Sequence, residues 1–321
     1  MDLDSIDLFD SLKKEVDKAI AITTMGHDQI ISDLKKALSS DFPDTPIYTF
    51  GSRIMGLASD GSDLDIYVHA YGNDVYTDKP TPTMLTNQMK IAKAIKMSSA
   101  KWIFVKTVDG KCPLVVARHK ATNILCDISF SHKISVDQNM LVNYIFDLQP
   151  IARYMVIYLR GWAQKYGLTK FRGHIFILMV IYFLQICGEL PSIENLQANL
   201  PPNFGPWKTN FVKLDLSSFN MKTVALNGSE VRHRLKDFFD YYSEFNYARF
   251  VVCPWLGKVR LRYVMQECMP KRCYDRLYVA DCHAIIVQDI IHLNQNKAFP
   301  IAQYDLLSFK AKCKDMKMNT K

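Results

Sequence analysis

The segment FGSRIMGLASDGSDLDIYVHA, residues 50–70, carries the strongest fold signal in the chain. It places a Gly51-Ser52 turn between two β-rich runs, and Asp63 and Asp65 stand two positions apart at the second run. Side chains two apart on a strand share a face, so these two carboxylates are predicted to lie side by side. Carboxylates that close repel each other unless cations lie between them. The pair therefore predicts a site for a hard divalent cation such as Mg²⁺, which prefers oxygen ligands.

The Gly51-Ser52 turn is a candidate phosphate-binding element. It follows the strand-like run IYTF and precedes a predicted helix start. Glycine lets backbone N–H groups approach a phosphate, and the helix N-terminus and the serine hydroxyl add donors. Together with the Asp pair, this turn suits a metal-bound nucleoside triphosphate. The alternative is a plain Gly-Ser turn beside a solvent-facing Asp pair on an edge strand.

Asp127, in the run ILCDISF, is the candidate for a third carboxylate. Aspartate is disfavoured inside strands, so its position beside the apolar Leu125 and Ile128 favours a functional explanation. A third carboxylate would add a ligand for a second metal ion. The alternative is a strand-end aspartate without a metal.

Periodicity divides the chain into helical and β-rich regions. Apolar spacing predicts helices over residues 5–40, with one stripe at Ile6, Phe9, Leu12, Val16 and Ile20 and another at Ile30, Leu34 and Leu38. Five β-rich runs, with a helix over Met84–Lys96 among them, predict a small α/β unit. These runs are IYTF, LDIYVHA, WIFVKTV, PLVVAR and ILCDISF.

The second half of the chain is mainly helical in pattern. Three apolar segments, LVNYIFDL, IARYMVIYLRGWAQKY and HIFILMVIYFLQIC, predict helices. A long loop region follows, and then a helix over Val231–Phe245 and the short strand-like run VVCPW. A last helix is predicted around Ala284–Leu293, and the lysine-rich tail is expected to fray.

Composition limits the class of protein. The 321 residues include 49% hydrophobic ones, enough for a core in two packed lobes. A net charge of +8 is compatible with a polyanionic partner but does not require one. The eight cysteines form no C-x-x-C pair, which favours thiols in a reducing compartment, the cytoplasm or the nucleus. The longest apolar run, Ile175 to Cys187, is shorter than the roughly 20 residues that span a bilayer, so no membrane association is expected.

The motifs together resemble a known family. GS…SDLDIYV followed by CDISF is similar to the catalytic signature of the polymerase-β-like nucleotidyltransferases. Four later stretches resemble, in order, segments of the non-canonical poly(A) polymerase and terminal uridylyltransferase family. They are LRGWAQKYGL (159–168), GHIFILMVIYFLQ (173–185), FFDYYSEFNYARFVV (238–252) and VQDIIHLNQN (287–296).

This resemblance implies a bilobed α+β fold. A polymerase-β-like mixed-sheet catalytic (palm) lobe would cover residues 44–135. A mainly helical central lobe would join residues 1–43 to residues 136–321.

The resemblance also implies an activity: template-independent addition of uridylate or adenylate from UTP or ATP to RNA 3′ ends. Asp63, Asp65 and Asp127 would hold two Mg²⁺ or Mn²⁺ ions, and Asp127 would also accept the hydroxyl proton. Gly51 and Ser52 would hold the triphosphate. The sequence has no separate RNA-binding module, so a protein partner is expected to supply substrate choice.

The family's nucleotide-contacting positions are partly altered. Asn139 matches an asparagine near the sugar and base, whereas Arg160 stands where the family usually has a phosphate-binding lysine. Arginine keeps that charge with a different geometry. Gly173-His174 replaces a serine-tyrosine pair, and Gln295 stands where many uridylyltransferases have a base-reading histidine. We therefore expect an intact metal site with a weakened nucleotide pocket.

Two other functions fit parts of the pattern. One is a catalytically impaired relative that binds RNA or protein, which the altered pocket favours. The other is a small-molecule nucleotidyltransferase, which usually lacks the later helical motifs. Basic groups beyond the site, either solvated or facing RNA phosphates, are Lys90, Lys93, Lys96 and Lys101, then Lys258, Arg260 and Arg262, then Lys271, Arg272 and Arg276.

Overall fold

The structure is a computed structural model that describes residues 3–70, 77, 79–110, 112–269 and 282–318. Side chains are described throughout these ranges except at residues 266–268 and 317–318. Contacts divide the chain into two compact units. We call residues 17–141 the sheet unit, and residues 1–16 with 142–321 the helical unit.

The sheet unit contains five strands and two helices that the sequence predicted. Their bounds are α2 His27–Leu38, β1 Ile47–Phe50, β2 Leu64–Val68, α3 Pro82–Met97, β3 Trp102–Val108, β4 Leu114–His119 and β5 Leu125–Ser129. The strands form one sheet in the order β1-β2-β5-β4-β3. β2 and β5 are parallel, and the other neighbouring pairs of this sheet are antiparallel. The mixed sheet with its helices confirms the α+β class.

One face of the sheet carries the hydrophobic core of this unit. Leu64 and Ile66 of β2 are fully buried there and pack in one cluster with Ile30 of α2. Burying such an aliphatic side chain stabilises the fold by roughly 1.5–3 kcal/mol. A one-residue slip of β2 would put Asp65 in their place. The burial pattern therefore fixes Asp65 on the face opposite the core.

Helix α2 belongs with the sheet. Ile30, Leu34 and Leu38, one of the predicted stripes, are buried in the same core cluster as the strands. The predicted start of the catalytic lobe at residue 44 therefore differs from the observed division, in which residues 17–43 join the sheet unit. The unit also extends beyond the predicted residue 135, to residue 141.

Helix α3 is capped at its start and anchored to the sheet near its middle. The hydroxyl of Thr81 accepts a hydrogen bond from the N–H of Met84 at 3.2 Å, which satisfies one donor of the first turn. Gln88 Nε2 donates to the carbonyls of Val108 at 3.0 Å and Leu114 at 3.1 Å. These bonds fix α3 against the adjoining ends of β3 and β4.

The helical unit contains the three long apolar helices that the sequence predicted. The bounds of its elements are α4 Ile134–Leu148, α5 Ile151–Lys165, α6 Gly173–Ile186, α7 Ile193–Leu196, α8 Gly228–Glu244, β6 Phe250–Val251, β7 Arg260–Leu261 and α9 Gln303–Met318. The division between the units falls within α4, after residue 141. In α6, every residue from Ile175 to Gln185 is buried. None of the helices in the described ranges has both the length and the apolar character that crossing a bilayer requires.

The buried stripe of α1, Leu8–Ala21, differs from the predicted one. Ile6 lies before the helix and is 95% exposed, and Ile20 is also exposed. The buried residues of α1 are Leu8, Leu12, Val16 and Ala19, so Leu12 and Val16 are shared with the predicted stripe.

The helix predicted around Ala284–Leu293 is wrong, because these residues form turns and isolated β-bridges. The buried side chain of Asp289 explains the difference. Its Oδ1 accepts hydrogen bonds from the N–H groups of Ile291 and His292, each at 2.8 Å. A side-chain acceptor of this kind competes with the helical pattern and turns the chain.

The lysine-rich tail is not frayed up to Met318, where α9 ends. Phe309 and Cys313, one helical turn apart, are fully buried. The Phe309 ring stacks on Phe171 with 4.3 Å between centroids. This apolar face anchors the helix, and its lysines lie around it.

Candidate active site

Asp65 and Asp127 are direct neighbours in the sheet. They are register partners on the parallel strands β2 and β5, and such strands lie about 4.8 Å apart. Both side chains point away from the core, because Cys126 and Ile128 on either side of Asp127 are fully buried. The structure therefore brings these two predicted carboxylates together.

The carboxylates have raised pKa values. Burial, followed by the charges of Asp127 and Asp63, raises the pKa of Asp65 from 3.8 to about 7. Burial and the charge of Asp63 also raise the pKa of Asp127, and the charge of Lys106 partly opposes this. Negative charges crowded into a partly desolvated site favour either protonation or a bound cation.

Lys106 lies in the same cross-strand row as the carboxylates, which the sequence did not indicate. Lys106 pairs with Val116 of β4, and Val116 pairs with Asp127. A β-bulge between Phe104 and Lys106 shifts the pairing of β3 and sets this row. Simple alternation along WIFVKTV does not reveal such a bulge.

Asp63 lies in the loop just before β2, not within a strand, and is exposed. The buried side chain of Arg53 holds this loop. Its Nε donates to the carbonyl of Ser62 at 2.8 Å, and its Nη2 donates to that of Asp60 at 3.4 Å. Arg53 is only 4% exposed, so it positions Asp63 from within the fold. In the sequence, the signal for this role is a single arginine at the start of the otherwise apolar run RIMGLA after Ser52.

Gly51 packs directly against Asp65. A β-carbon at Gly51 would overlap Asp65 Oδ2 and lie 2.7 Å from the carboxyl carbon, and the φ of Gly51 is +81°. The Gly51 N–H donates to Oδ1 of the buried Asn139 at 2.8 Å. Asn139 therefore fixes the turn that backs the carboxylates, and this N–H is already engaged in the structure.

The helix predicted after Ser52 is a single turn. The N–H of Met55 donates to the carbonyl of Gly51 at 3.1 Å, and the N–H of Leu57 donates to that of Ser52 at 3.0 Å. The chain then leaves this turn toward the loop that Arg53 holds. Ser52 itself is partly exposed at the turn.

Asp65 and Asp127 offer oxygen donors of the kind that a magnesium ion prefers. Within the described ranges, no three carboxylate, histidine or cysteine side chains form a closed metal-binding group. Mg²⁺ is usually held by one or two carboxylates, with the remaining positions taken by water and substrate phosphates. Asp65 and Asp127, whose raised pKa values reflect crowded negative charge, match that open type of site.

In the helical unit, Arg160 and Gly173 lie against each other. A β-carbon at Gly173 would come within 3.3 Å of both Cδ and Nε of Arg160. The half-buried Arg160 side chain therefore passes over the first residue of α6. Two departures from the family pattern are thus in contact.

His174 and Gln295 lie near a buried ion pair. Crowding by surrounding protein and the positive charges of Lys297 and Arg172 lower the pKa of His174 to about 4, although its side chain is open to solvent. Lys297 Nζ lies 2.7 Å from Asp289 Oδ2. The carbonyl of the half-buried Gln295 accepts from the Asp289 N–H at 3.1 Å, so this turn holds Gln295.

The basic residues after the strand-like run VVCPW divide in role. Lys258 is exposed, whereas Arg262 donates to the carbonyls of His283 at 2.8 Å and Ala284 at 3.1 Å. Arg262 thus holds backbone and is not a free phosphate ligand. Lys271, Arg272, Arg276 and Cys273 lie outside the described residues.

Comparison with known proteins identifies the sheet unit. Residues 18–147 match the family model for the central palm domain of mitochondrial-like poly(A) RNA polymerases. The matched range begins and ends within a few residues of the sheet unit.

Similar whole proteins belong to the same group. Poly(A) RNA polymerase gld-2 of Caenorhabditis elegans is 25% identical over 67% of this chain and 20% of its own length. The mitochondrial poly(A) RNA polymerase of Homo sapiens is 25% identical over 68% of this chain and 42% of its own length. The chain thus aligns with less than half the length of these relatives.

Solved structures share the fold over nearly the whole chain. mtPAP in complex with ATPγS has a TM-score of 0.75 at 20% identity, covering 98% of this chain and 68% of that one. Terminal uridylyl transferase 4 from Trypanosoma brucei with bound GTP has a TM-score of 0.72 at 19% identity, covering 98% and 96%. The fold is therefore the polymerase-β-like fold of these structures, and residues 18–147 are similar to the central palm domain of mitochondrial-like poly(A) RNA polymerases.

Proposed function

We propose that this chain transfers ribonucleotides from a nucleoside triphosphate to RNA 3′ ends without a template. One observation carries the proposal: Asp65 and Asp127 are partners on adjacent parallel strands, with Asp65 packed against the Gly51 turn. This arrangement places two carboxylates beside a turn that has no room for a side chain. The names of the relatives, poly(A) RNA polymerases, support the same activity.

In the proposed reaction, the 3′-oxygen of the RNA attacks the α-phosphorus of the triphosphate. The bond between the α-phosphorus and the oxygen that bridges the α- and β-phosphates breaks, and pyrophosphate leaves. The proton of the 3′-hydroxyl passes to Asp127, whose raised pKa makes it a better acceptor near neutral pH than an ordinary aspartate. When bound by Asp63, Asp65 and Asp127, Mg²⁺ or Mn²⁺ ions would stabilise the charge on the reacting phosphate oxygens.

The predicted nucleotide-contacting residues each have chemistry that suits a part of the nucleotide. Ser52 would donate its hydroxyl to the triphosphate, and Asn139 would hold the Gly51 turn in place. Arg160 would supply positive charge for a phosphate. His174, whose pKa is lowered from its ordinary value, would contact the base through its imidazole ring. Gln295 would contribute an amide to base recognition, with UTP and ATP as the candidate substrates.

RNA 3′ ends are the proposed acceptor, and a protein partner would select among RNAs. The cytoplasm or the nucleus is the proposed location. A catalytically impaired, binding-only role is the second candidate. It is favoured by Gly173, which offers no hydroxyl at the start of α6.

A primer-extension assay tests the proposal. The purified protein is incubated with 5′-labelled RNA and each ribonucleoside triphosphate in turn, with Mg²⁺ or Mn²⁺. We expect a ladder of products with UTP or ATP that disappears in Asp65→Ala. Folded protein that extends no RNA with any nucleotide or metal would leave the binding role as the better account.

A further inference from the structure

The outer edge of the sheet borders a groove that shares one lining residue, Lys106, with the row of carboxylates. β3 is the last strand of the sheet order, so among the described residues it pairs with β4 on one side only. Between β3 and α3 lies a groove of about 860 Å³. We call it the α3–β3 groove. Its lining residues are Gln88, Met89, Ala92, Lys93, Lys96, Met97, Phe104, Val105, Lys106 and Thr107.

The apolar part of the groove consists of side chains that bind peptides well. Met89 and Met97 on α3 are 65% and 75% exposed, and Val105 on β3 is 47% exposed. Methionine is unbranched and polarisable, so it adapts to varied apolar partners. Exposed apolar groups gathered in one groove commonly mark an interaction site.

The charged side chains that line the α3–β3 groove are all basic. Lys93, Lys96 and Lys106 line it, and none of its lining residues, all of which the structure describes, is acidic. Both Lys93 and Lys96 are exposed on α3, one helical turn apart. Such a surface attracts a negatively charged partner.

The lining chemistry favours a peptide over RNA. Single-stranded RNA is commonly held by bases that stack on exposed aromatic rings. The ring in this groove, Phe104, is half-buried, and Lys96 Nζ lies 4.3 Å from its centroid. Aliphatic and methionine side chains offer no stacking surface. An edge strand, in contrast, presents backbone groups that can pair with an added strand.

A second copy of the chain is also a poor occupant. Two copies of this groove facing each other would bring lysines against lysines.

We propose that the α3–β3 groove binds an extended acidic segment of a protein partner, which adds a strand along β3. The backbone of the segment pairs with the β3 edge. Its carboxylates face Lys93 and Lys96, and its apolar side chains contact Met89, Met97 and Val105. This mode of recognition combines main-chain hydrogen bonds with pockets for alternate side chains.

The test uses the full chain and a fluorescein-labelled synthetic peptide of alternating valine and glutamate. Binding is measured by fluorescence polarisation for wild type, for Lys93→Glu with Lys96→Glu, and for the control Lys35→Glu with Lys36→Glu. The control reverses two exposed lysines on α2, which do not line this groove. We expect the groove variant to bind at least about tenfold more weakly, which corresponds to 1.4 kcal/mol, and the control to bind like wild type.

Hydrogen exchange gives the second readout. The peptide is expected to protect backbone amides within residues 103–107 of wild type. The proposal is overturned if the peptide does not bind wild type at about 1 mM, if all three proteins bind it equally, or if residues 103–107 gain no protection. It is also overturned if labelled oligouridylate, and not the peptide, loses binding in the groove variant. These readouts need no transferase activity, so they stand apart from the proposed reaction.

Discussion

Gly51 and Asp65 are in contact so close that no side chain fits between them. A β-carbon at Gly51 would overlap Asp65 Oδ2, and the turn holds Gly51 at a φ of +81°. The carboxylate is thus positioned by a residue that must be glycine for two independent reasons. One is space and the other is backbone conformation.

Gly51→Ala is expected to displace Asp65 and abolish transfer. Backbone strain alone costs roughly 1–2 kcal/mol at such a φ, so stability falls too. Gly167→Ala is the matched control, since Gly167 has a φ of +68° with no atom near its missing side chain. Primer extension and melting temperature are measured for both. If Gly51→Ala extends RNA as well as Gly167→Ala does, the contact with Asp65 is not needed for activity.

The sequence was informative wherever local pattern decides structure. Alternation in the run SDLDIYV placed Asp65 opposite the buried Leu64 and Ile66. The meeting of Asp65 with Asp127 depends on which strands pair, and single-strand patterns do not contain that information. Similarly, the bulge before Lys106 arises from pairing with β4.

Gly173→Ser is expected to destabilise the protein, since its side chain would crowd Arg160. Arg160→Lys keeps the stem of the side chain but removes Cζ, which would lie 3.8 Å from the added β-carbon, with the rest of the planar guanidinium. The lysine side chain can then move aside more freely, so the double variant should be more stable than the two single changes predict. Coupling between contacting residues is typically 0.5–3 kcal/mol. Urea unfolding of the wild type, Gly173→Ser, Arg160→Lys and the double variant measures this coupling free energy.

Calorimetric titration of UTP and ATP into the same four proteins measures how these substitutions change triphosphate binding. We expect Gly173→Ser to weaken triphosphate binding with arginine at position 160, and to strengthen it with lysine there. Additive effects on both stability and binding would show that the two positions act independently.

The pH dependence of stability should report the raised pKa of Asp65. Its pKa in the folded chain is about 7, against an ordinary value of 3.8. The stabilising contribution of the protonated group is therefore present below about pH 4 and is lost as the pH rises to about 7. Asp65→Asn cannot lose a proton at this position.

The melting temperature of Asp65→Asn, minus that of wild type, should grow between about pH 4 and about 7 and stay constant above that. Melting is followed by calorimetry in the presence of EDTA. Asp109→Asn, at an exposed position after β3, is the control for the removal of one carboxylate. Parallel curves for Asp65→Asn and wild type would contradict the raised pKa.

Asn139→Ala should destabilise the Gly51 turn, which the asparagine side chain holds. It leaves the Gly51 N–H without the acceptor that now lies at 2.8 Å. An unsatisfied buried donor costs roughly 1–3 kcal/mol. We expect lower stability and slower transfer, with Asn139→Asp retaining more stability because it keeps an acceptor. If Asn139→Ala transfers at the wild-type rate, the asparagine has no part in holding the turn.

Other parts of the fold depend on contacts that sequence patterns conceal. The apolar run around Ile286 and Ile291 is typical of a helix, yet Asp289 turns the chain there through its own hydrogen bonds. The lysine-rich tail looked solvated, but Phe309 and Cys313 anchor it as a helix. In both places a few buried side chains outweigh the average character of the segment.

The most direct test of the central claim is the rate of RNA extension by Asp127→Asn. The substitution keeps the size of the side chain and removes the proton acceptor and a metal ligand. Loss of a general base alone typically slows a reaction by about 10²–10⁴-fold. We therefore expect single-turnover extension to fall by at least about 10²-fold in a protein that still melts cooperatively. Near-normal extension by folded Asp127→Asn would contradict the assignment of Asp65 and Asp127 as the catalytic pair.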